Sequence, residues 1–148
     1  YMDRLISRSR KKHKALLLSR YKTIEFIRAN AKENNYALYG FINDQSPRVR
    51  PKNYWRAFMG VNVPVFTGAE RLAKEFNFPV YYAEINRTKR GYYTAKVSLL
   101  VKDPSLCGQN EITDLFTAKL EEQIKRDPSQ YLWSHNRFKH SHLAPQAN

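Results

Sequence analysis

The densest concentration of chemically capable side chains is "NDQSPR", residues 43–48, where Asp44 and Gln45 follow the apolar run "YALYGFI" at 36–42. A carboxylate and an amide at the carboxyl end of a buried strand stand where α/β sheets present groups to ligands. Asp44 fits a plainer role equally well, capping the turn before Pro47. Arg48 and Arg50 then add forked guanidinium donors, which suit phosphate oxygens. The remaining inventory is thin. His135, His140 and His142 lie close in sequence, but no Cys or carboxylate joins them at ligand spacing, so no metal is expected. The sequence has no G-x-x-x-x-G-K-S/T, G-x-G-x-x-G or G-x-S-x-G, which removes P-loop, dinucleotide and hydrolase-elbow readings. Cys107 has no His nearby in sequence and reads as an ordinary thiol.

A second concentration is "DPSQYLWSHNRFK", residues 127–139. Segments near a chain end are usually polar, because rings there find nothing to bury them. Here Tyr131, Trp133 and Phe138 sit among Gln130, His135, Asn136 and Arg137. Tyr131 and Trp133 are expected to fold back as a plug on the core or its rim, leaving His135, Arg137 and Lys139 towards a polar edge.

These side chains need a frame, and 148 residues at 42% hydrophobic and 26% charged supply one domain's worth of globular chain. A lone cysteine forms no internal disulfide, which fits a reducing compartment. No window nears eighteen uninterrupted apolar residues. The net charge of +13 is uneven: residues 1–56 hold 14 Lys/Arg against 4 Asp/Glu, or +10. Such a field favours an anionic partner, whether nucleic acid, lipid headgroups or an acidic protein. Simple solubility is the plain alternative.

Along the chain, residues 2–18 read as a helix, or a helix and a short apolar run, carrying Arg8, Arg10, Lys11, Lys12 and Lys14. Residues 20–33 have Ile24, Ile27 and Ala31 at helical spacing, stopped by Asn34-Asn35. Residues 36–42 read as a buried strand, and 46–66, with Pro47, Pro51 and Pro64, as a long structured loop. A short helix follows Thr67, its expected N-cap. Strands at 78–85 and 92–101 flank the turn "NRTKRG". Residues 111–125 set Ile112, Leu115, Phe116, Leu120 and Ile124 on one helical face, with Asn110 as N-cap and Asp127-Pro128 as stop. The expected class is α/β, a mixed β-sheet flanked by helices.

"INDQSPR" at 42–48, "FMG" at 58–60, "TGAERLAKEFNFPV" at 67–80 and above all "PSQYLWSHNRFK" at 128–139 together resemble the late acyltransferases of lipid A biosynthesis, in the lysophospholipid acyltransferase superfamily. The blocks run in the family's order from about Met2 to Lys139. The resemblance implies a glycerol-3-phosphate acyltransferase-like fold without a cofactor. It implies transfer of a fatty acyl chain from acyl carrier protein or acyl-CoA to a hydroxyl of a lipid A precursor, an anionic lipid, at the cytoplasmic face of the bacterial inner membrane. Its catalytic element is H-x-x-x-x-D/E, a general base with an orienting carboxylate. This sequence departs from it: no Asp or Glu stands five positions after His13, His135, His140 or His142. Residues 1–139 are therefore expected to be the C-terminal portion of an acyltransferase domain, inactive alone, with catalytic histidine and membrane anchor upstream of Tyr1, and 140–148 a frayed tail.

The resemblance assigns Arg10 to the family's second block and Asp44 with Gln45 to its third, where the acceptor's phosphate or headgroup is held. Pro79-Val80 matches the fourth. Arg48, His135 and Arg137 complete the expected substrate-binding set. Two other readings stay open: an acyltransferase acting on another lipid acceptor, and a basic nucleic-acid module with "RGYYTAKV" as a stacking strand. Against the latter, the aromatics concentrate in apolar runs rather than alternating with Lys and Arg.

Overall fold

Val61, Val63 and Val65 are β-branched and spaced by two, the pattern of a half-buried strand. They form β2 (Val61–Val65), antiparallel to β1 (Tyr54–Phe58), in a computed structural model that describes residues 8, 15–19, 22–35 and 37–145. The expected 46–66 loop is therefore half hairpin. Its two-residue turn, Met59-Gly60, has positive φ at both positions (51° and 81°), as the twist of a tight hairpin requires. Met59 is held there by its N–H, which donates to Glu121 Oε1 at 2.9 Å. Pro64 sits in a two-stranded sheet, where a missing N–H is tolerated on a free edge.

The chain divides into two units, residues 1–39 and 40–148. In the first, α1 (Thr23–Lys32) matches the expected helix and buries Ile27. Asn34, at φ 55°, closes it as its sequence position suggested. The expected helix at 2–18 lies almost wholly outside the described residues. Of those described, Arg8 is helical and residues 15–19 are not.

In the second unit the order is β1, β2, α2 (Gly68–Phe76), β3 (Val80–Lys89), β4 (Tyr92–Val101) and α3 (Glu111–Arg126). β3 and β4 form another antiparallel hairpin, longer than expected, since "NRTKRG" is mostly strand and only Arg90-Gly91 turns. The architecture is mixed α/β, with three regular helices and two two-stranded antiparallel sheets among the described residues. Among the described residues the strands do not form one mixed sheet. Each reaches its partner through a two-residue turn and none pairs in parallel, which would need a crossover. The expected strand at 36–42 is also absent: residues 37–43 are irregular, and Leu38 is 93% exposed. An apolar run becomes a strand only beside a partner that takes its backbone N–H and C=O groups.

Phe58, Val63 and Val65 pack on Leu120 and Ile124 of α3, bordered by Tyr54, Phe116, Tyr131 and Phe138. A second cluster joins Ala73, Val101 and Ile112. In α3, Leu115 faces out and Thr113 and Thr117 are buried instead. Neither Thr67 nor Asn110 makes a side-chain cap bond. The first turn of α3 is held by Glu70 of α2, whose carboxylate accepts from Thr113 N–H (3.0 Å) and Oγ1 (2.6 Å) and pairs with Lys74 (3.1 Å). β3 and β4 turn Tyr82 inward, its hydroxyl 2.6 Å from Gln123 Oε1. Their other face, Tyr81, Ala83 and Ile85 opposite Leu99, Val97 and Ala95, is exposed.

Glu70 gives an acid-sensitive contact. Burial raises its pKa, but the Thr113 bonds and Lys74 together outweigh burial and leave it below its ordinary value of 4.5. A group depressed by folding contributes stability above the ordinary value, and that contribution is lost as pH falls through the folded value. Glu70→Gln is expected to cost about 1–2 kcal/mol at neutral pH. Urea denaturation at several pH values should show the gap to the parent closing as the solution is acidified below that ordinary value.

Candidate functional site

Asp127 and Pro128 end α3 and reverse the chain. The Asp127 carboxylate accepts from Ser129 N–H (3.1 Å) and Oγ (2.6 Å) and from Gln130 Nε2, building the turn Pro128–Gln130. Gln130 Oε1 in turn accepts from the Arg87 N–H of β3. The returning segment lies over the end of β1. Phe58 meets the rings of Tyr131 (centroids 6.4 Å apart) and Phe138 (6.1 Å), and the Arg137 guanidinium stacks over its face at 4.4 Å. Tyr131 also takes Trp133 edge-on at 5.1 Å.

From this platform the segment grips residues 44–46. Tyr131 OH (3.1 Å) and Arg137 Nη1 (2.5 Å) both donate to the Asp44 carbonyl. Ser46 donates its N–H to His135 Nε2 (3.0 Å) and its hydroxyl to the Arg137 carbonyl (2.8 Å). Sequence positions about ninety apart are thus joined by four hydrogen bonds. Asp44 Oδ1 and Arg137 Nε are buried without a hydrogen-bond partner among the described residues.

Arg137 departs from the expectation: placed at a polar edge by sequence, it is 1% exposed. Tyr131 packs on the core cluster as expected, and Trp133, 53% exposed, takes the rim position of the core-or-rim plug. A guanidinium is planar and weakly hydrated, so it stacks on a ring while its edges donate. The indole stays at the rim because its Nε1 finds the Pro128 carbonyl at 2.7 Å. Burial lowers the Arg137 pKa, opposed by Tyr131 and Asp44. Burial also raises that of Tyr131, and the Arg137 charge opposes it. Trp133→Ala is therefore expected to cost only about 1 kcal/mol, against the 3–5 kcal/mol of a fully buried indole (~). The urea midpoint reads the difference.

Of the six expected binding residues, the structure brings Asp44, His135 and Arg137 together, and Gln45, next to Asp44 in the chain, is half-buried. Arg48 is exposed, and Arg10 lies outside the described residues. Sequence reasoning missed Ser46, which carries no distinguishing signal, and did not foresee Phe58 as the platform.

The cluster is built to hold rather than to abstract protons. His135 Nε2 accepts from a backbone N–H, so its lone pair is occupied and the ring proton sits on Nδ1. The described residues hold no group of three or more His, Cys, Asp or Glu arranged for a metal ion, and no helix long and apolar enough to cross a membrane. The arrangement holds a half-buried carboxylate, its Oδ1 unpartnered among the described residues and closed to solvent, on a main chain fixed from behind. No curated protein matches the chain. Residues 1–140 match the family model described as bacterial lipid A biosynthesis acyltransferase.

Proposed function

Since the chain belongs to the bacterial lipid A biosynthesis acyltransferase family, we propose that it supplies the acceptor side of an enzyme moving a fatty acyl chain to a lipid A precursor hydroxyl. The acyl donor is acyl carrier protein or acyl-CoA. Asp44 and Gln45 address the acceptor at its hydroxyl or headgroup, and Arg48 and Arg10 its phosphate, to which guanidinium forks are matched. His135 and Arg137 join the site through the loop they hold. The observation that carries this reading is the meeting of two family-like blocks, "NDQSPR" and "PSQYLWSHNRFK", in one bonded cluster around Asp44.

Acyl transfer to a hydroxyl needs a base on the acceptor, and a tautomer-fixing carboxylate makes histidine effective in that role. No H-x-x-x-x-D/E occurs in these residues, and the Nε2 of His135 is already occupied. Residues 1–139 are thus proposed as the C-terminal portion of an acyltransferase domain, with 140–148 as its tail. In that domain the two hairpins belong to a larger glycerol-3-phosphate acyltransferase-like sheet, and the base comes from another part of the protein. The basic residues of 1–56 face anionic headgroups at the cytoplasmic surface of the inner membrane, or the acidic carrier protein.

Labelled acyl carrier protein and a lipid A precursor test the proposal, with residues 1–148 and the full-length gene product assayed in parallel. Transfer by the longer protein and none by residues 1–148 is the expected result. Transfer by residues 1–148 alone would overturn the placement of the base. Transfer by the longer protein only to a glycerolipid or amino-lipid would move the acceptor class while keeping the chemistry.

A further inference from the structure

We propose that the segment from Tyr131 to Arg137 is a latch on the Asp44–Ser46 loop, with Tyr131 a positioning residue that acts on the acceptor site through the loop's main chain. This rests on the reading of Asp44 as part of that site. Every bond across the junction uses loop backbone or Ser46, and none uses the Asp44 carboxylate. Two donors converging on one carbonyl, from Tyr131 and Arg137, fix the orientation of the peptide plane after Asp44. The pair of bonds from Ser46, one donated by its N–H and one by its hydroxyl, fixes the chain two residues on. The stretch between them has little rotational freedom left, so the direction of the Asp44 side chain is set by residues far along the sequence.

The latch has a rigid base. Tyr131 and Arg137 both rest on Phe58, whose side chain is buried against Leu120 and Ile124. Loop position is thereby referred to the core rather than to neighbouring loop residues. Asp44 Oδ1 is left without a partner among the described residues and is closed to solvent, so an acceptor hydroxyl reaches it only when binding shifts the residues that cover it. A buried carboxylate oxygen without a partner is unfavourable, and an acceptor hydroxyl that donated to it would recover that cost on binding. Acceptor affinity should therefore depend on the latch, and donor affinity should not.

Tyr131→Phe is the discriminating variant, because it removes one donor and keeps the ring on Phe58. In the full-length enzyme it is expected to raise the acceptor KM about 3–10-fold with the donor KM unchanged. Hydrogen exchange at the Ser46 amide should quicken about tenfold, with the Leu120 amide unaffected. With Asp44→Ala already present, Tyr131→Phe should move the acceptor KM less than about twofold, since the group being positioned is gone. Parental exchange at Ser46, a parental acceptor KM, or effects that simply multiply in the double variant would each overturn the latch. A different result, parental turnover in Asp44→Ala itself, would remove the acceptor-site reading and the positioning role with it.

Discussion

Asp44→Ala, in the longer acyltransferase proposed above, is expected to lower kcat/KM at least about 100-fold, the scale at which a directly engaged polar group acts in a reaction. The melting temperature should stay at or slightly above that of the parent. The two halves of this prediction come from different atoms of one residue. The Asp44 carbonyl receives the bonds from Tyr131 and Arg137, and a main-chain carbonyl survives the substitution. The carboxylate contributes a buried oxygen with no partner, whose removal relieves a desolvation cost rather than breaking a bond. Activity assay and differential scanning calorimetry on the same preparation check both halves. Near-parental turnover would exclude the side chain from the acceptor site.

Arg137→Ala is expected to do the opposite, with a loss of about 3–5 kcal/mol in unfolding free energy read from urea denaturation. The guanidinium fills the space over Phe58 and its Nη1 donates to the Asp44 carbonyl, so truncation opens a cavity and removes one of that carbonyl's two donors. Arg137→Met separates these effects. It refills most of the volume, removes the cost of burying a charge, and is expected to lose only about 1–2 kcal/mol. Arg137→Lys should resemble Met more than the parent, because an ammonium has no flat face for the Phe58 ring and is more strongly hydrated. If Ala and Met variants were equally destabilised, lost packing would not be the larger part of the effect.

Strong periodicity made much of the frame legible. The α2 helix, the β3 and β4 strands and the α3 helix each announce themselves over eight or more residues, and their ends fall near the expected places except in β3, which runs on through the expected turn to Lys89. The first hairpin was hidden by its own chemistry. Pro64 argues against a strand, and Met59 carries no mark of the positive φ it adopts, which Glu121 imposes from α3. Residues 36–42 failed in the other direction, since apolar continuity cannot say whether a partner strand stands beside them.

The site was half legible. Asp44 and the terminal block could be singled out by residue type, but not their meeting, which depends on four bonds between positions far apart in the chain. The burial of Arg137, against the expectation of a polar edge, has a general cause. Composition ranks side chains by average burial, whereas a particular guanidinium goes inside when an aromatic face and a carbonyl await it.

The outward ladder of Tyr81, Ile85, Val97 and Leu99 on β3 and β4 has a practical consequence for anyone preparing this polypeptide. A two-stranded ribbon ends in backbone groups on both flanks that no third strand satisfies, and a greasy surface beside such a flank recruits strands from other molecules. Yield of dispersed material on recombinant expression would then be governed by this ribbon's outer flank and surface, and much less by how well Phe58 and its neighbours fill the interior.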